Sequence, residues 1–160
     1  MDRIWAPWRM DYLLGDPMEG CIFCDKPSEE NDEVNHILRR TPLSFVILNA
    51  YPYNNGHLMV APYRHVGALS ELTAEERSDL MDTLVVAEDL LVKAFAPQGM
   101  NVGVNLGSCA GAGVPGHIHF HIVPRWEGDT NFMPVVGETR VLPELLEDTY
   151  RRLKDCLDGK

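Results

Sequence analysis

Residues 117–126, HIHFHIVPRW, set histidines on alternate positions, His117, His119 and His121, with Ile118, Phe120 and Ile122 following them in turn. A β-strand turns successive side chains to opposite faces, so this alternation predicts a strand with one imidazole face and one apolar face. On a helix, at about 100° per residue, the same histidines would fan over about 200° and could not act on one group. A half-buried strand needs polar residues on its open side, but it has no need of three imidazoles in register. The pattern points to histidine chemistry. Either the three rings hold a catalytic metal, or one ring is a nucleophile that its neighbours orient.

The loop ahead of the strand bears on that choice. GSCAGAGVPG, residues 107–116, places four glycines and two alanines directly against the histidines. A tight turn needs one or two glycines. Four let backbone approach a ligand closely, and consecutive N–H groups can cradle phosphate oxygens. Phosphate chemistry is favoured.

The rest of the chain reads as strands with two helices. VNHILRR (34–40), SFVILNA (44–50) and HLMVAP (57–62) read as strands, separated by Thr41-Pro42 and by the turn cluster YPYNNG. Thr73 and Glu76 form a capping box ahead of a helix over about 74–95, with Leu80, Leu84, Ala87, Leu91 and Ala94 as its buried stripe. NVGVNLG (101–107) is a fourth strand, and Pro143 opens a terminal helix with Leu146, Tyr150 and Leu153 on one side. The first 33 residues read as a loop-like arm whose Trp5, Trp8 and Tyr12 dock on the domain surface. Five strands, mostly one hairpin step apart, predict an α+β fold in a single domain over residues 1–160.

Composition narrows the partners. A formal charge of −10 argues against a nucleic-acid backbone as the main partner, although backbone N–H groups can still hold a small phosphate ligand. No run approaches the ~20 apolar residues of a membrane span, and MDRIWAPWRMDYLLGD lacks the apolar centre of a signal peptide. Four cysteines, two of them spaced as CIFC, suit a reducing compartment, so a cytoplasmic protein is expected. Cys21 and Cys24 have the spacing of half a four-ligand zinc site. The alternative, a redox pair, wants a helix N-terminus in a βαβ setting, and the sequence offers none. Cys109 and Cys156 have no partner by spacing, and Cys156 reads as core filler.

HIHFHIV matches the H-φ-H-φ-H-φ-φ motif of the histidine triad (HIT) family of nucleotide hydrolases and transferases, Gly/Ala loop included. The likeness runs back through SFVILNAYPYNNGHLMVAPYRH and forward through VPRW, GDTNFMP and TRVLPELLEDTY, covering residues 3 to about 155. With WAPWRMDYL it most resembles the diadenosine tetraphosphate phosphorylase branch. The resemblance implies a HIT-like, mostly antiparallel five-stranded sheet with one long helix and a C-terminal helix. It implies that His119 takes the α-phosphoryl group of a nucleotide or dinucleoside polyphosphate as a covalent nucleotidyl-histidine, then passes it to phosphate or water. His121 would face the scissile phosphate and assist the leaving group. His57 would orient an imidazole, with a purely structural histidine as the alternative. Asn49 would contact ribose, and Asn105 with Gly111, Ala112 and Gly113 would contact phosphate oxygens, alongside His119 and His121. Zinc-binding relatives imply a structural Zn²⁺ on Cys21, Cys24, His65 and His117, and the family implies a homodimer. The acceptor stays open. So do three rival readings: a nucleoside phosphoramidate hydrolase, a nucleotide-binding module without turnover, and a zinc hydrolase using the whole triad as ligands.

Overall fold

The computed structural model describes residues 20–129 and 142–159. Strands β1 (Ile37–Arg40), β2 (Ser44–Leu48), β3 (Leu58–Pro62), β4 (Gly99–Val104) and β5 (Phe120–Arg125) form one antiparallel sheet. Their order is β1-β2-β3-β5-β4, so β5 is inserted between β3 and the edge strand β4. Among the described residues three α-helices accompany the sheet: α1 (Ile22–Ser28), α2 (Ala74–Phe95) and α3 (Leu146–Asp158).

The two faces of the sheet bury different things. On one, Leu38, Val46, Leu48, Leu58, Val60 and Ile122 pack against Leu80, Leu84, Ala87 and Leu91 of α2 and against Tyr150 and Leu153 of α3. On the other, Ile37, Phe45, Ile47, Met59 and Ala61 close around Phe23 of α1. With cover on both sides, β2 and β3 are buried at every position. That is why SFVIL and LMVAP are apolar nearly throughout instead of alternating.

The start of α2 also fixes a loop that matters later. The Thr73 hydroxyl accepts the Glu76 N–H (3.1 Å) and the Glu76 carboxylate accepts the Thr73 N–H (2.8 Å), closing the capping box read from the sequence. The same carboxylate receives Arg64 through two nitrogens (2.8 and 2.5 Å), and Arg64 also donates to the Glu71 carbonyl (2.7 Å). Arg64 precedes His65, so this ion pair ties the presentation of His65 to the helix cap.

Several boundaries differ from the sequence reading, each for a local reason. The CIFC arm is not a loop: Cys21 caps α1, and the Cys24 and Asp25 N–H groups both donate to the Cys21 carbonyl (2.8 Å each). The expected docking of Trp5, Trp8 and Tyr12 lies outside the described residues, as does most of GDTNFMP. β1 starts at Ile37, not residue 34, because residues 32–36 make a turn with His36 at φ 57°. β4 runs over Gly99–Val104 instead of 101–107, and the β5 ladder begins only at Phe120. His117 and His119 therefore belong to an extended segment ahead of the ladder. α3 begins at Leu146, with Pro143 in a bend before it. There Glu144 accepts from the Thr149 hydroxyl (2.8 Å) and the Asn55 amide (3.1 Å), so a side-chain network shapes the entry to the helix.

Candidate active site and metal cluster

Register places the histidines. Met59 of β3 pairs with His121 of β5, and His57, two residues before Met59, points to the same face of the sheet. The His57 and His121 rings meet at 2.9 Å, Nε2 to Nδ1. The backbone decides which atom carries the proton. The Tyr53 N–H donates to His57 Nδ1 (3.0 Å), and the Asn49 amide lies 3.3 Å from the same nitrogen. Since that nitrogen accepts, His57 Nε2 carries the hydrogen and donates to His121 Nδ1, and neutral His121 carries its own hydrogen on Nε2. Burial, and then the neighbouring His119, press His121 down to a pKa of about 4. It is a neutral donor at neutral pH.

His119 has the opposite tautomer. Its Nδ1 lies 2.8 Å from the carbonyl oxygen of His117, which can only accept, so Nδ1 carries the hydrogen and Nε2 keeps a lone pair. Burial lowers its pKa as well. Phe23 stacks on the ring at 4.5 Å between centroids and 28° between planes, while His121 meets it edge-on at 5.0 Å. A lone pair on one buried ring and an N–H on its neighbour thus belong to His119, just ahead of β5, and His121 within it.

His117 faces elsewhere. Its Nε2 donates to the Pro62 carbonyl (2.8 Å), which turns the Nδ1 lone pair toward Cys21 Sγ (3.3 Å) and Cys24 Sγ (3.5 Å). His65 Nδ1 reaches Cys24 Sγ at 3.4 Å. The donor atoms of Cys21, Cys24, His65 and His117 all lie within 4.8 Å of one another. Around a small tetrahedral cation, bonds of about 2.3 Å to sulfur and about 2.0–2.1 Å to nitrogen would separate such donors by about 3.5 Å. The S···N spacings found here match that edge. Burial, and then the adjacent Cys21 sulfur, push the Cys24 thiol up to about 11. Two thiolates this close need a cation between them. Gly116 makes room for the cluster: a Cβ there would stand 3.2 Å from His65 Nε2. α1 does give the cysteine pair a helix N-terminus, but its thiols meet two imidazoles and not a βαβ redox setting.

The other residues read from the sequence fall around the triad. The Asn49 side chain accepts the Tyr51 N–H (2.9 Å) and stands beside His57, where it holds the turn after β2. The Asn105 amide reaches the Gly111 carbonyl at 3.5 Å and closes the 107–116 loop, in which Gly107 and Gly111 have φ of 83° and 91°. Ala112 and Gly113 continue that loop toward His117. A cavity of about 440 Å³ opens beside His121, lined by Tyr53, Asn101, Asn105, Arg125 and Asp129 among others. Arg125 lies bidentate on Asp129 (2.6 and 2.8 Å) and donates to Asn101 (2.8 Å), bracing the cavity floor. Sequence reasoning missed Tyr53, Arg125, Asp129 and Phe23. For Arg125 a signal existed, since it continues the His121, Val123 alternation along β5. For the Tyr53 N–H none did.

A donor and a lone pair on paired imidazoles, beside a glycine loop and a thiol–imidazole cluster on an antiparallel sheet, define a protein of the histidine triad class. The comparisons with known proteins agree: the HIT domain matches residues 30–128, and the chain belongs to that family. It is 41% identical over 162 residues to an "AP-4-A phosphorylase" of Mycobacterium tuberculosis, covering 96% of this chain and 83% of that protein. It is 36% identical over 95 residues to the asymmetrical bis(5'-nucleosyl)-tetraphosphatase of Schizosaccharomyces pombe, covering 59% of this chain and 52% of the other. Among solved structures, the C. elegans NitFhit protein superposes with a TM-score of 0.60 at 31% identity, over 75% of this chain and 27% of that one.

The neutral state of His121 has a pH signature. In an unfolded chain its pKa would be about 6.5, against about 4 in the fold. Below pH 6.5 the unfolded state takes up a proton that the folded state refuses. Stability therefore falls as pH drops from about 6.5 toward about 4, by at most about 3 kcal/mol from this group. His119, His57 and Tyr53 face the ring and stay in place in the variant. Urea denaturation should show a smaller loss between pH 7 and pH 4.5 in His121→Asn than in the wild type. Equal losses would mean that His121 is not held neutral.

Proposed function

We propose that the protein cleaves dinucleoside polyphosphates of the diadenosine tetraphosphate type at an α-phosphate, with inorganic phosphate as the preferred acceptor. The observation that carries the chemistry is the pairing of opposite tautomers, a His119 lone pair next to a His121 N–H. His119 Nε2 attacks the α-phosphorus, the P–O bond to the rest of the polyphosphate breaks, and the electron pair leaves on that oxygen. The leaving polyphosphate is already an anion, so a hydrogen bond from His121 Nε2–H serves it without a proton transfer. Its nucleoside half fits the cavity beside His121. His57 keeps His121 in the donor tautomer. The His119 cation formed by nucleotidyl transfer keeps its Nδ1–H on the His117 carbonyl, and it can leave as a neutral imidazole when the P–N bond breaks in the second step.

The same network suits phosphate as the acceptor. Water needs a base to take its proton, and His121 presents a donor to the site. A phosphate dianion brings its own charged oxygen. Attack by phosphate on the nucleotidyl-histidine forms a new P–O bond, returns the P–N electron pair to Nε2, and turns diadenosine tetraphosphate into ADP and ATP. Asn105 with Gly111, Ala112 and Gly113 would hold phosphate oxygens, and Asn49 the ribose. Resemblance to the M. tuberculosis phosphorylase over nearly the whole chain supports this acceptor. The S. pombe tetraphosphatase supports hydrolysis as the second reading.

His119→Ala should abolish turnover and leave nucleotide affinity within about tenfold, because the ring acts mainly in the transition state. Phosphate should accelerate cleavage of diadenosine tetraphosphate and give ADP with ATP. Equal rates with and without phosphate, with AMP as product, would move the protein to the hydrolases.

The cluster of Cys21, Cys24, His65 and His117 would hold one structural Zn²⁺ per chain. Two thiols with two imidazole nitrogens at tetrahedral spacing suit zinc, and they leave no position for substrate. When bound, the ion neutralises the thiolates and pins α1 to the segment carrying His117. Cys24→Ser should lower zinc content, measured by plasma emission, together with the melting temperature, and activity should fall less than in His119→Ala. A variant without zinc but with unchanged stability would remove the site.

The whole chain would act as one domain and associate as a homodimer in the cytoplasm. Among the described residues β4 is an edge strand with Val102 exposed, and Met81, Val85 and Val92 form an exposed apolar stripe on α2, surfaces that a second copy would cover. All four cysteines are unpaired, which suits a reducing compartment. Sedimentation equilibrium should give the mass of two chains, and a monomer at micromolar concentration would reject the dimer. Cell fractionation tests the compartment.

A further inference from the structure

We propose that Phe23, the aromatic residue between the two metal-binding cysteines, is a positioning residue that fixes the ring of His119 for attack. The inference rests on His119 being the nucleophile. One hydrogen bond, from Nδ1 to the His117 carbonyl, holds only one edge of that imidazole and leaves it free to tilt about the bond. Attack on phosphorus needs the Nε2 lone pair aimed along one line, and a displacement of about 1 Å can cost about a hundredfold in rate. Phe23 supplies the missing constraint. Its ring lies nearly parallel to His119 at 4.5 Å, and His121 closes the edge at 5.0 Å, so the imidazole is held on a face, an edge and a nitrogen.

Phe23 is 1% exposed, packed among Ile37, Phe45, Ile47, Met59 and Ala61. It also contacts His117 at 5.4 Å between centroids. Its helix has seven residues and contains Pro27, too short to stand alone. That helix is held in place by the burial of Phe23, by Cys21 and Cys24 against His65 and His117, by the packing of Ile22, and by Arg40, which donates to the Pro27 carbonyl (2.9 Å). The cysteine cluster thereby delivers an aromatic wall to the nucleophile without any ligand atom touching the substrate.

The test uses Phe23→Leu and Phe23→Met in the full-length, zinc-loaded protein. Both keep apolar bulk and lose the flat face, so either one serves if the other folds poorly. Rapid-quench mass spectrometry reads the rate of adduct formation on His119 with saturating diadenosine tetraphosphate, and equilibrium titration with a non-cleavable analogue reads affinity. Adduct formation should slow about tenfold to a hundredfold, with analogue affinity within about twofold and zinc content unchanged. In ¹⁵N-histidine spectra, the single Nδ1–H tautomer of His119 should give way to an averaged signal. Adduct formation at the wild-type rate overturns the proposal. So does a weakened affinity with an unchanged saturating rate, or a loss that only tracks zinc or folded fraction. Absence of any His119 adduct in the wild type would remove the nucleophile itself, a different result from a variant that matches a working wild type.

Discussion

The register of β3 against β5 is the constraint on which the site depends. Met59 opposite His121 brings His57 and His121 to one face, 2.9 Å apart. Beyond the ladder the two segments stay in contact: the Ile118 N–H donates to the Val66 carbonyl (2.6 Å), and His117 donates to the Pro62 carbonyl. The same pairing therefore sets His65 near His117. A slip of one residue would turn His121 toward the α2 face and Ile122 toward His57, breaking the His57–His121 contact.

Three histidines at one spacing end up doing three things because the backbone gives each ring a different partner. A carbonyl binds His117 at Nε2 and leaves Nδ1 for the cysteines. Another carbonyl binds His119 at Nδ1 and leaves Nε2. The Tyr53 N–H, working through His57, makes His121 a donor. Side-chain chemistry is identical in all three cases, and only hydrogen-bond geometry separates them. Carbonyl partners orient the rings without supplying a full charge, and burial keeps His119 and His121 neutral.

Much of this was legible in the residues. The alternation of HIHFHIV, the capping box at Thr73 and the apolar stripe of α2 all carry strong periodic signals, and the C-x-x-C pair announces half of a metal site. His65 as the other half came only from family likeness, because nothing in APYRH distinguishes a ligand from a surface histidine. The helix at Ile22–Ser28 was invisible, since seven residues with a proline show no helical period and the segment is held by tertiary contacts. Phe23 carried no signal either: an apolar residue between two cysteines looks the same whether it fills space or stacks on a nucleophile. The division of the triad depended on carbonyls at Pro62 and His117, and backbone direction is not written in side chains.

The charge of the chain closes the physical picture. At −10 the protein repels a polyphosphate at long range, so recognition must come from groups that act only at contact. The candidate groups here are of that kind: a neutral imidazole donor and a side-chain amide at Asn105, whereas the Gly111 and Ala112 N–H groups already donate to the Ser108 and Gly107 carbonyls. Arg125, the arginine among the described residues lining the cavity, is paired with Asp129. Fixed neutral dipoles aimed where charge develops act most strongly in the transition state. A site built from them favours the transition state without holding a polyanionic product, which a cluster of free lysines or arginines would bind tightly.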